Sequence, residues 1–334
     1  MKKSLVALAV LAASGASFAQ SAVTVYGVVD AWVGSVKNDN GATSTSVTQL
    51  GDGGVSPSRW GLKGSEDLGG GLKANFNLEQ GFSLDTGAAG NAALAFSRQS
   101  WVGFSGGFGE VRLGRMTTAF DDVGGSADAV FDSALSPANN GVFISGGYTG
   151  RPNNGIFYQA PSMGGFSGAV SYSLAEDANG VPAGALSVTS LNLTYGNGPL
   201  ALQLGYQVDN VNNQVNDTAY TRLGGSYNLG VATIMASYGK VTNVANVSGA
   251  DVAEWQFGLD YSVSSNLTVS ASYARSNDNV TAGDFKRDGL GFGASYSLSK
   301  RTSVYGGYES DKISKAGTND VKHSLMAVGI RHAF

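Results

Sequence analysis

Residues 290–298 read LGFGASYSL, and the side chains alternate strictly between two kinds. Leu290, Phe292 and Tyr296 share one side of the segment, and the odd-numbered residues on the other side are all glycine or serine. Strict alternation predicts a β-strand with one apolar and one polar face, because successive side chains of a strand point in opposite directions. No helical period of comparable length competes with it. The same alternation recurs at 200–208, 257–263, 267–274 and 325–334.

Tyrosines give this pattern a longer repeat. Tyr227, Tyr261 and Tyr296 are 34 and 35 residues apart, which is enough for two strands, a tight turn and a loop. A short polar turn follows at 264–266, whereas the opposite connection at 276–287 is long. Short turns at one rim and long loops at the other are typical of bacterial outer-membrane barrels, which have an even number of strands. The length of the chain then predicts about sixteen strands.

A soluble β-sandwich would produce the same alternation, because it hides its apolar faces inside. The membrane barrel is favoured because tyrosines recur at strand ends, where amphipathic rings suit the membrane interface. The chain also ends on an alternating strand with Phe334. A closed barrel satisfies every backbone polar group without water, which an open sheet in lipid does not. The sequence therefore predicts an all-β, transmembrane antiparallel β-barrel with a polar, glycine-rich lumen.

The composition excludes several classes of function. The 334 residues carry a formal net charge of −4, whereas a nucleic-acid-binding protein needs a basic face. The chain has no cysteine, which excludes disulfides, thiol catalysis and cysteine-bound metals. Its two histidines, His323 and His332, have no obvious serine or acid partner in the sequence pattern. We therefore expect no enzyme, no cofactor and no metal site.

The N-terminus has the pattern of an export signal. Lys2 and Lys3 precede an apolar run at 5–13, and small residues surround a cleavage point after Ala19. The run is too short to cross a membrane. We expect residues 1–19 to be removed, which would leave a single barrel domain over 20–334.

Two longer blocks carry a family resemblance. Residues 58–82 (SRWGLKGSEDLGGGLKANFNLEQGF) and 96–115 (FSRQSWVGFSGGFGEVRLGR) resemble general diffusion porins of the β-proteobacterial and neisserial branch. Residues 25–30 resemble the first strand of that family and 329–334 resemble its last, so the resemblance covers the whole mature chain. It implies a sixteen-stranded homotrimer in the outer membrane, in contact with lipid and lipopolysaccharide. It also implies a third loop that folds inward, and a terminal Phe334 that is read by the barrel-assembly machinery.

The candidate for the inward loop is 116–155, which lacks sustained alternation. A loop of this length is usually functional or disordered, so a flexible external loop is the alternative. Four aspartates give the segment a negative side: Asp121, Asp122, Asp128 and Asp132.

Strand parity predicts which charged side chains face this loop. Alternation puts each of them in the lumen when an apolar neighbour on the same strand faces lipid. The expected pairs of lumen and lipid residues are Arg59 with Trp60, Glu79 with Leu78, Arg98 with Trp101, and Arg112 with Leu113.

The resemblance assigns the constriction more narrowly. The arginines on the wall of the family's constriction match Arg59, Arg98 and Arg151, and an acidic neighbour matches Glu79. Arg115 has outward parity, so its place depends on where its strand ends. The first strand departs from the family, because Val28 stands at a lumen position where some porins carry lysine.

A basic wall opposite an acidic loop indicates a selective opening. A narrow, low-dielectric opening focuses the electric field, and rings of arginine favour anions while rings of carboxylates favour cations. We expect a water-filled channel for passive diffusion of ions and small hydrophilic solutes, with a modest preference for small anions. Two alternatives stay open: a substrate-specific porin for a sugar or small organic acid, and a non-conducting adhesive or structural barrel.

Overall fold

A computed structural model describes residues 22–175, 186–212, 214–279, 285–315 and 317–334, and the predicted signal segment 1–19 lies outside them. Within these residues the chain forms one antiparallel sheet of seventeen strands. The strands are β1 (Ala22–Asp39), β2 (Ser44–Asp52), β3 (Arg59–Gly69), β4 (Leu72–Gly81), β5 (Gln99–Gly106), β6 (Gly109–Arg115), β7 (Gly155–Gln159), β8 (Phe166–Ser173), β9 (Leu186–Asn197), β10 (Leu200–Val211), β11 (Thr218–Asn228), β12 (Ala232–Thr242), β13 (Val252–Ser262), β14 (Leu267–Asp278), β15 (Phe285–Ser297), β16 (Thr302–Lys315) and β17 (Val321–Ala333). Short helical turns span Asp121–Val123, Gly125–Ala127, Val130–Asp132, Ala138–Val142, Ile144–Gly147 and Val244–Asn246.

The sheet closes on itself where its first and last strands meet. β1 pairs antiparallel with β17, with Val28 opposite Ala333. Beyond that pair, the Gly27 N–H donates to the Phe334 carbonyl at 3.1 Å, and the Phe334 N–H donates to the Gly27 carbonyl at 3.0 Å. Closure leaves no free edge at this seam, as a sheet in lipid requires.

The seventeen strands occupy sixteen strand positions around the barrel. β1 pairs with β3 along 22–28 and with β2 along 31–39, so β2 and β3 together form one barrel strand. The irregular segment 53–58 interrupts that strand. The predicted number of about sixteen strands is therefore confirmed.

The two faces of the strands differ as the alternation predicts. On β17, Met326 and Val328 are exposed on the outside, whereas Leu325 and Ala327 are buried toward the lumen. The apolar outer band meets lipid, and the inner face meets water or the inward loop. Among the described residues, no helix is long and apolar enough to cross a membrane.

The segment between β6 and β7 folds into the lumen, which confirms the prediction of an inward third loop. Phe120 and Leu135 within it are almost fully buried against the wall. Serine side chains of the wall form hydrogen bonds with the backbone of this loop. The Phe120 N–H donates to Ser190 Oγ at 2.7 Å. On a later strand, Ser276 Oγ donates to the Val142 carbonyl at 2.8 Å. The small polar residues of the lumen face thus satisfy the backbone of a segment that has no sheet partner.

The tip of the loop is strained. Val130, Phe131 and Asp132 have positive φ angles of 59, 67 and 48°. L-residues rarely adopt this left-handed conformation, and a β-branched valine does so least readily. Val130 is fully buried, and its N–H donates to Ser270 Oγ at 2.7 Å. Packing against the wall therefore holds a conformation that the loop alone would not favour.

Glycine on the wall leaves room for the loop. A Cβ at Gly258 would collide with the Cβ of Ala129, and one at Gly291 would collide with the carbonyl oxygen of Leu135. The loop therefore packs directly on the backbone of the strands. This contact gives a physical reason for the glycine-rich lumen face.

Gly258→Ala should loosen this contact. We expect a loss of about 1–3 kcal/mol of stability, because an added methyl group forces the backbone of a packed element to shift. Thermal unfolding of the folded barrel measures the loss, and increased current noise in a planar bilayer would show a less firmly held loop. Gly196→Ala is the matched control, since a Cβ there meets no atom within 4 Å. Equal unfolding temperatures for the two variants would contradict the packing argument.

Candidate pore constriction

Two cavities meet inside the barrel beside the inward loop. One has a volume of about 660 Å³, and its lining includes the loop residues Asp121, Asp128 and Asp132. The other has a volume of about 490 Å³. Arg98 and Arg151 are the charged residues that line both cavities, so their side chains lie at the junction.

A buried carboxylate holds two of the predicted arginines together. Glu79 is only 4% exposed, and its Oε1 accepts a hydrogen bond from Arg98 Nε at 2.6 Å. Arg59 Nε lies 3.6 Å from Glu79 Oε2, and the Tyr26 hydroxyl donates to the same oxygen at 2.9 Å. Two guanidinium groups therefore share one carboxylate, which leaves one net positive charge in this group.

The third predicted arginine is held by the loop. Arg151 Nη2 lies 3.5 Å from Asp121 Oδ2, and the Tyr148 hydroxyl donates to Asp121 Oδ1 at 2.5 Å. Burial, together with the Asp121 charge, raises the pKa of Tyr148 far above its usual value, so the hydroxyl stays a donor. The Thr149 N–H donates to Asp209 Oδ2 at 2.9 Å and fixes the same segment to β10.

Arg222 on β11 is a lumen charge that was not among the predicted site residues. Its side chain is buried, Nη2 donates to Ser145 Oγ at 2.9 Å, and the guanidinium lies 5.0 Å from the centroid of the Phe120 ring. Arg222 lines the larger cavity together with Arg98. The signal was available in the sequence, because Leu223 next to it faces outward and parity then puts Arg222 inside.

Arg112 faces the lumen but lines neither of the two cavities. Its Nη2 lies 2.5 Å from Glu110 Oε2, and its guanidinium lies 4.9 Å from the ring centroids of both Trp101 and Phe157. Trp101 therefore faces inward, and the prediction that it faces lipid was wrong. Arg98 reaches the lumen for another reason: it precedes β5, so the parity of that strand does not apply to it.

Two more charged residues lie at the margins of the site. Asp122 is exposed, accepts a hydrogen bond from Thr117 Oγ1 at 2.6 Å and lines neither cavity. Arg115 lines the smaller cavity, where its Nε donates to the Ser97 carbonyl at 2.7 Å and its Nη1 to Asn153 Oδ1 at 2.8 Å. Of Asp121 and Asp122, only Asp121 lines the larger cavity, where it pairs with Arg151.

His323 differs from expectation because it has two acidic neighbours. Its Nδ1 lies 3.1 Å from Asp311 Oδ2 and 3.3 Å from Glu309 Oε2. The pairing of β16 with β17 sets Asp311 directly opposite His323, a relation that only the register of the strands determines. The other histidine, His332, contacts Thr302 Oγ1 at 2.8 Å.

Asp128 is a titratable group of the larger cavity. It is buried and accepts hydrogen bonds from Ser136 Oγ at 2.7 Å and Asn139 Nδ2 at 2.9 Å. Burial raises the pKa of Asp128 to about 7, and the charge of Asp132 acts in the same direction. Arg222 on the facing wall acts in the opposite direction but does not offset burial. The carboxyl group is thus neutral below this pH and negative above it.

We expect the preference for anions to increase as the pH falls from about 8 to about 6, because Asp128 then loses its charge. The change in the chloride-to-potassium permeability ratio should be about threefold, since Asp128 lines only the larger cavity and not its junction with the smaller one. Reversal potentials across a KCl gradient measure it. In Asp128→Asn this pH dependence should largely disappear, whereas Asp122→Asn, outside the cavity, should keep it. An unchanged pH dependence in Asp128→Asn would exclude Asp128 as the titrating group.

Comparison with known proteins identifies the family. A family model described as Gram-negative porin matches residues 4–316. Outer membrane porin protein 32 of Delftia acidovorans is 36% identical, and an outer membrane porin protein of Bordetella pertussis is 33% identical; both alignments cover 100% of each chain. Major outer membrane protein P.IB of Neisseria gonorrhoeae is 30% identical, also over 100% of each chain.

A solved structure agrees with these relatives. The anion-selective porin from Comamonas acidovorans superposes with a TM-score of 0.76 at 30% identity, and the match covers 94% of this chain and 100% of that one. The resemblance of 58–82 and 96–115 to porins is thus confirmed over the whole barrel. The chain belongs to the Gram-negative porin family and is a multi-strand β-barrel of the outer membrane.

Proposed function

We propose that this porin is a general diffusion channel with a preference for small anions, and that it has no enzymatic activity. One observation carries the proposal: Arg98 and Arg151 line both lumen cavities, whereas no acidic residue among those that the structure describes lines both. Every ion that passes from one cavity to the other meets these two positive charges. The charge at the narrow point, and not the negative net charge of the chain, then sets the selectivity. The name of the anion-selective structural relative supports the same direction.

General diffusion is favoured over transport of one particular sugar or organic acid. A substrate-specific channel needs exposed aromatic rings in sequence along the lumen. In the described part of the chain, the inward-facing rings of Trp32, Phe120, Tyr220 and Tyr305 are instead buried. The aromatic residues that line the cavities are few: Phe143 and Tyr148 in the larger one and Phe82 in the smaller one. The lumen therefore offers small solutes mainly charged and polar groups.

Conductance in a planar bilayer tests this proposal. We expect the purified protein to give ohmic current steps, and a reversal potential on the chloride side of a KCl gradient. A potential on the cation side would contradict anion preference and would make the loop aspartates dominant. Folded barrel without conductance would contradict the channel and favour an adhesive or structural role.

A homotrimer is part of the proposal, and the height of the barrel wall supports it. β7 has five residues and spans about 17 Å, less than the roughly 25 Å apolar band of an outer-membrane barrel. Its neighbours β6 and β8 have seven and eight residues, whereas β16 has fourteen. The side of the barrel with these short strands is stable in the membrane when other subunits cover it. Lipid and lipopolysaccharide then contact the side with the long strands. A monomeric mass in mild detergent, from protein that conducts, would contradict the trimer.

A further inference from the structure

Three side chains on the lumen face converge away from the constriction. Glu309 and Asp311 lie two residues apart on β16 and therefore point to the same face. His323 lies opposite Asp311 on β17. One ligand atom from each of the three residues lies within 4.8 Å of the others. Asn140, from the inward loop, donates to Glu309 Oε2 at 3.0 Å.

Hydrogen bonds alone do not satisfy this cluster. Nδ1 of His323 carries at most one proton, yet it lies within 3.3 Å of two carboxylates. Glu309 is fully buried, and its Oε1 has no hydrogen-bond partner in the described chain. When both carboxyl groups are ionised, the three residues carry a net negative charge even with His323 protonated. A buried charge of this kind needs a positive partner.

The geometry points to a divalent cation site formed by Glu309, Asp311 and His323. Zinc bonds of about 2.0–2.2 Å in a tetrahedral arrangement place the ligand atoms about 3.3–3.6 Å apart. The distances of 3.1 and 3.3 Å from Nδ1 to the two carboxylates come close to that spacing. One imidazole nitrogen with two carboxylates favours zinc or a similar first-row ion over calcium or magnesium, which prefer oxygen ligands alone.

The site is accessible and is connected to the loop. The side chain of His323 is 25% exposed, so an ion in the lumen reaches the cluster and a water molecule fills the fourth position. Asn140 orients the Glu309 carboxylate, as outer partners of metal ligands do. Occupancy therefore joins β16, β17 and the inward loop, and raises the temperature at which the barrel unfolds.

Isothermal titration of tag-free, folded protein with zinc chloride tests the site. We expect about one ion per chain, and weaker binding of calcium and magnesium. His323→Ala should lower the zinc affinity at least about 100-fold, and Asn140→Ala about tenfold. His332→Ala is the matched control, because it removes the only other histidine of the chain and should leave the affinity unchanged.

Each variant is first checked for conductance in a bilayer, so that loss of binding is not loss of folding. If His323→Ala does not fold, His323→Gln keeps a polar side chain of similar size and serves in its place. Absence of zinc binding to the unaltered protein at about 0.1 mM would overturn the site. Equal zinc affinity in the His323 variant and in the unaltered protein would also overturn it.

Discussion

Replacing Arg98 with alanine should move the reversal potential of the channel toward the cation side. Arg98 lines both cavities at their junction and forms the closer ion pair with Glu79. Without it, Arg59 is the only charged partner left to the carboxylate of Glu79, and the net charge of the group falls from one positive charge to zero. The junction therefore becomes less favourable to anions and more favourable to cations.

The expected size follows from Coulomb's law. A unit charge about 6 Å from an ion in water changes the energy of that ion by about 0.7 kcal/mol, or about threefold in local concentration. Chloride is disfavoured while potassium is favoured, so the permeability ratio should fall by up to about tenfold. Screening reduces the effect at high salt, and measurements at about 0.1 M KCl preserve most of it.

Two further variants separate charge from shape. Arg112→Ala removes another lumen arginine, but one that lines neither cavity, and it should change selectivity far less. Adding Glu79→Gln to Arg98→Ala removes the carboxylate that neutralises Arg59, so the group regains one net positive charge and part of the anion preference should return. The same selectivity for Arg98→Ala and the unaltered protein would exclude Arg98 from the filter.

Deletion of Phe334 should remove most of the folded protein from the outer membrane. We propose that this residue is the signal that the barrel-assembly machinery reads. The backbone of Phe334 closes the seam with Gly27, and its ring lies so close to Gly27 that a Cβ there would collide with it. Phe334 as a whole is still 46% exposed, so it is accessible to a recognition factor.

Folding in detergent distinguishes a signal from a structural contact. β1 and β17 stay paired from Val28↔Ala333 to Asp39↔Lys322 without Phe334, so the shortened chain should still refold in vitro. Phe292→Ala, at a similarly exposed outward phenylalanine, should leave the amount in the outer membrane unchanged. Loss in vitro as large as the loss in cells would assign Phe334 to stability alone. Normal amounts in cells would contradict both roles.

Much of the barrel could be predicted from the sequence, because each strand separates lipid from water along its whole length. That separation imposes a period of two on every segment, so the outward residues of β15 and β17 were predicted residue by residue. The length of the repeat likewise predicted the number of barrel strands. Local rules suffice where the environment of a residue depends only on the face it occupies.

The alternation rule predicted the residues of the site less well. Trp101 was predicted to face lipid because an apolar ring on a barrel strand usually does. Inside this barrel it has another apolar environment, against Phe157 and below the guanidinium of Arg112. The inward loop creates that environment. Arg222 was overlooked although parity marked it, because its role depends on how the loop packs.

The sequence by itself determined an all-β barrel of the outer membrane, its outward face and a long acidic loop. Only the tertiary structure decided which charges meet. Arg98 and Arg59 share Glu79 because β3, β4 and the start of β5 are adjacent, and His323 meets Asp311 because of the register of β16 and β17. Strand pairing brings together residues that are distant in sequence, and the alternation of a single strand contains no information about its register against another.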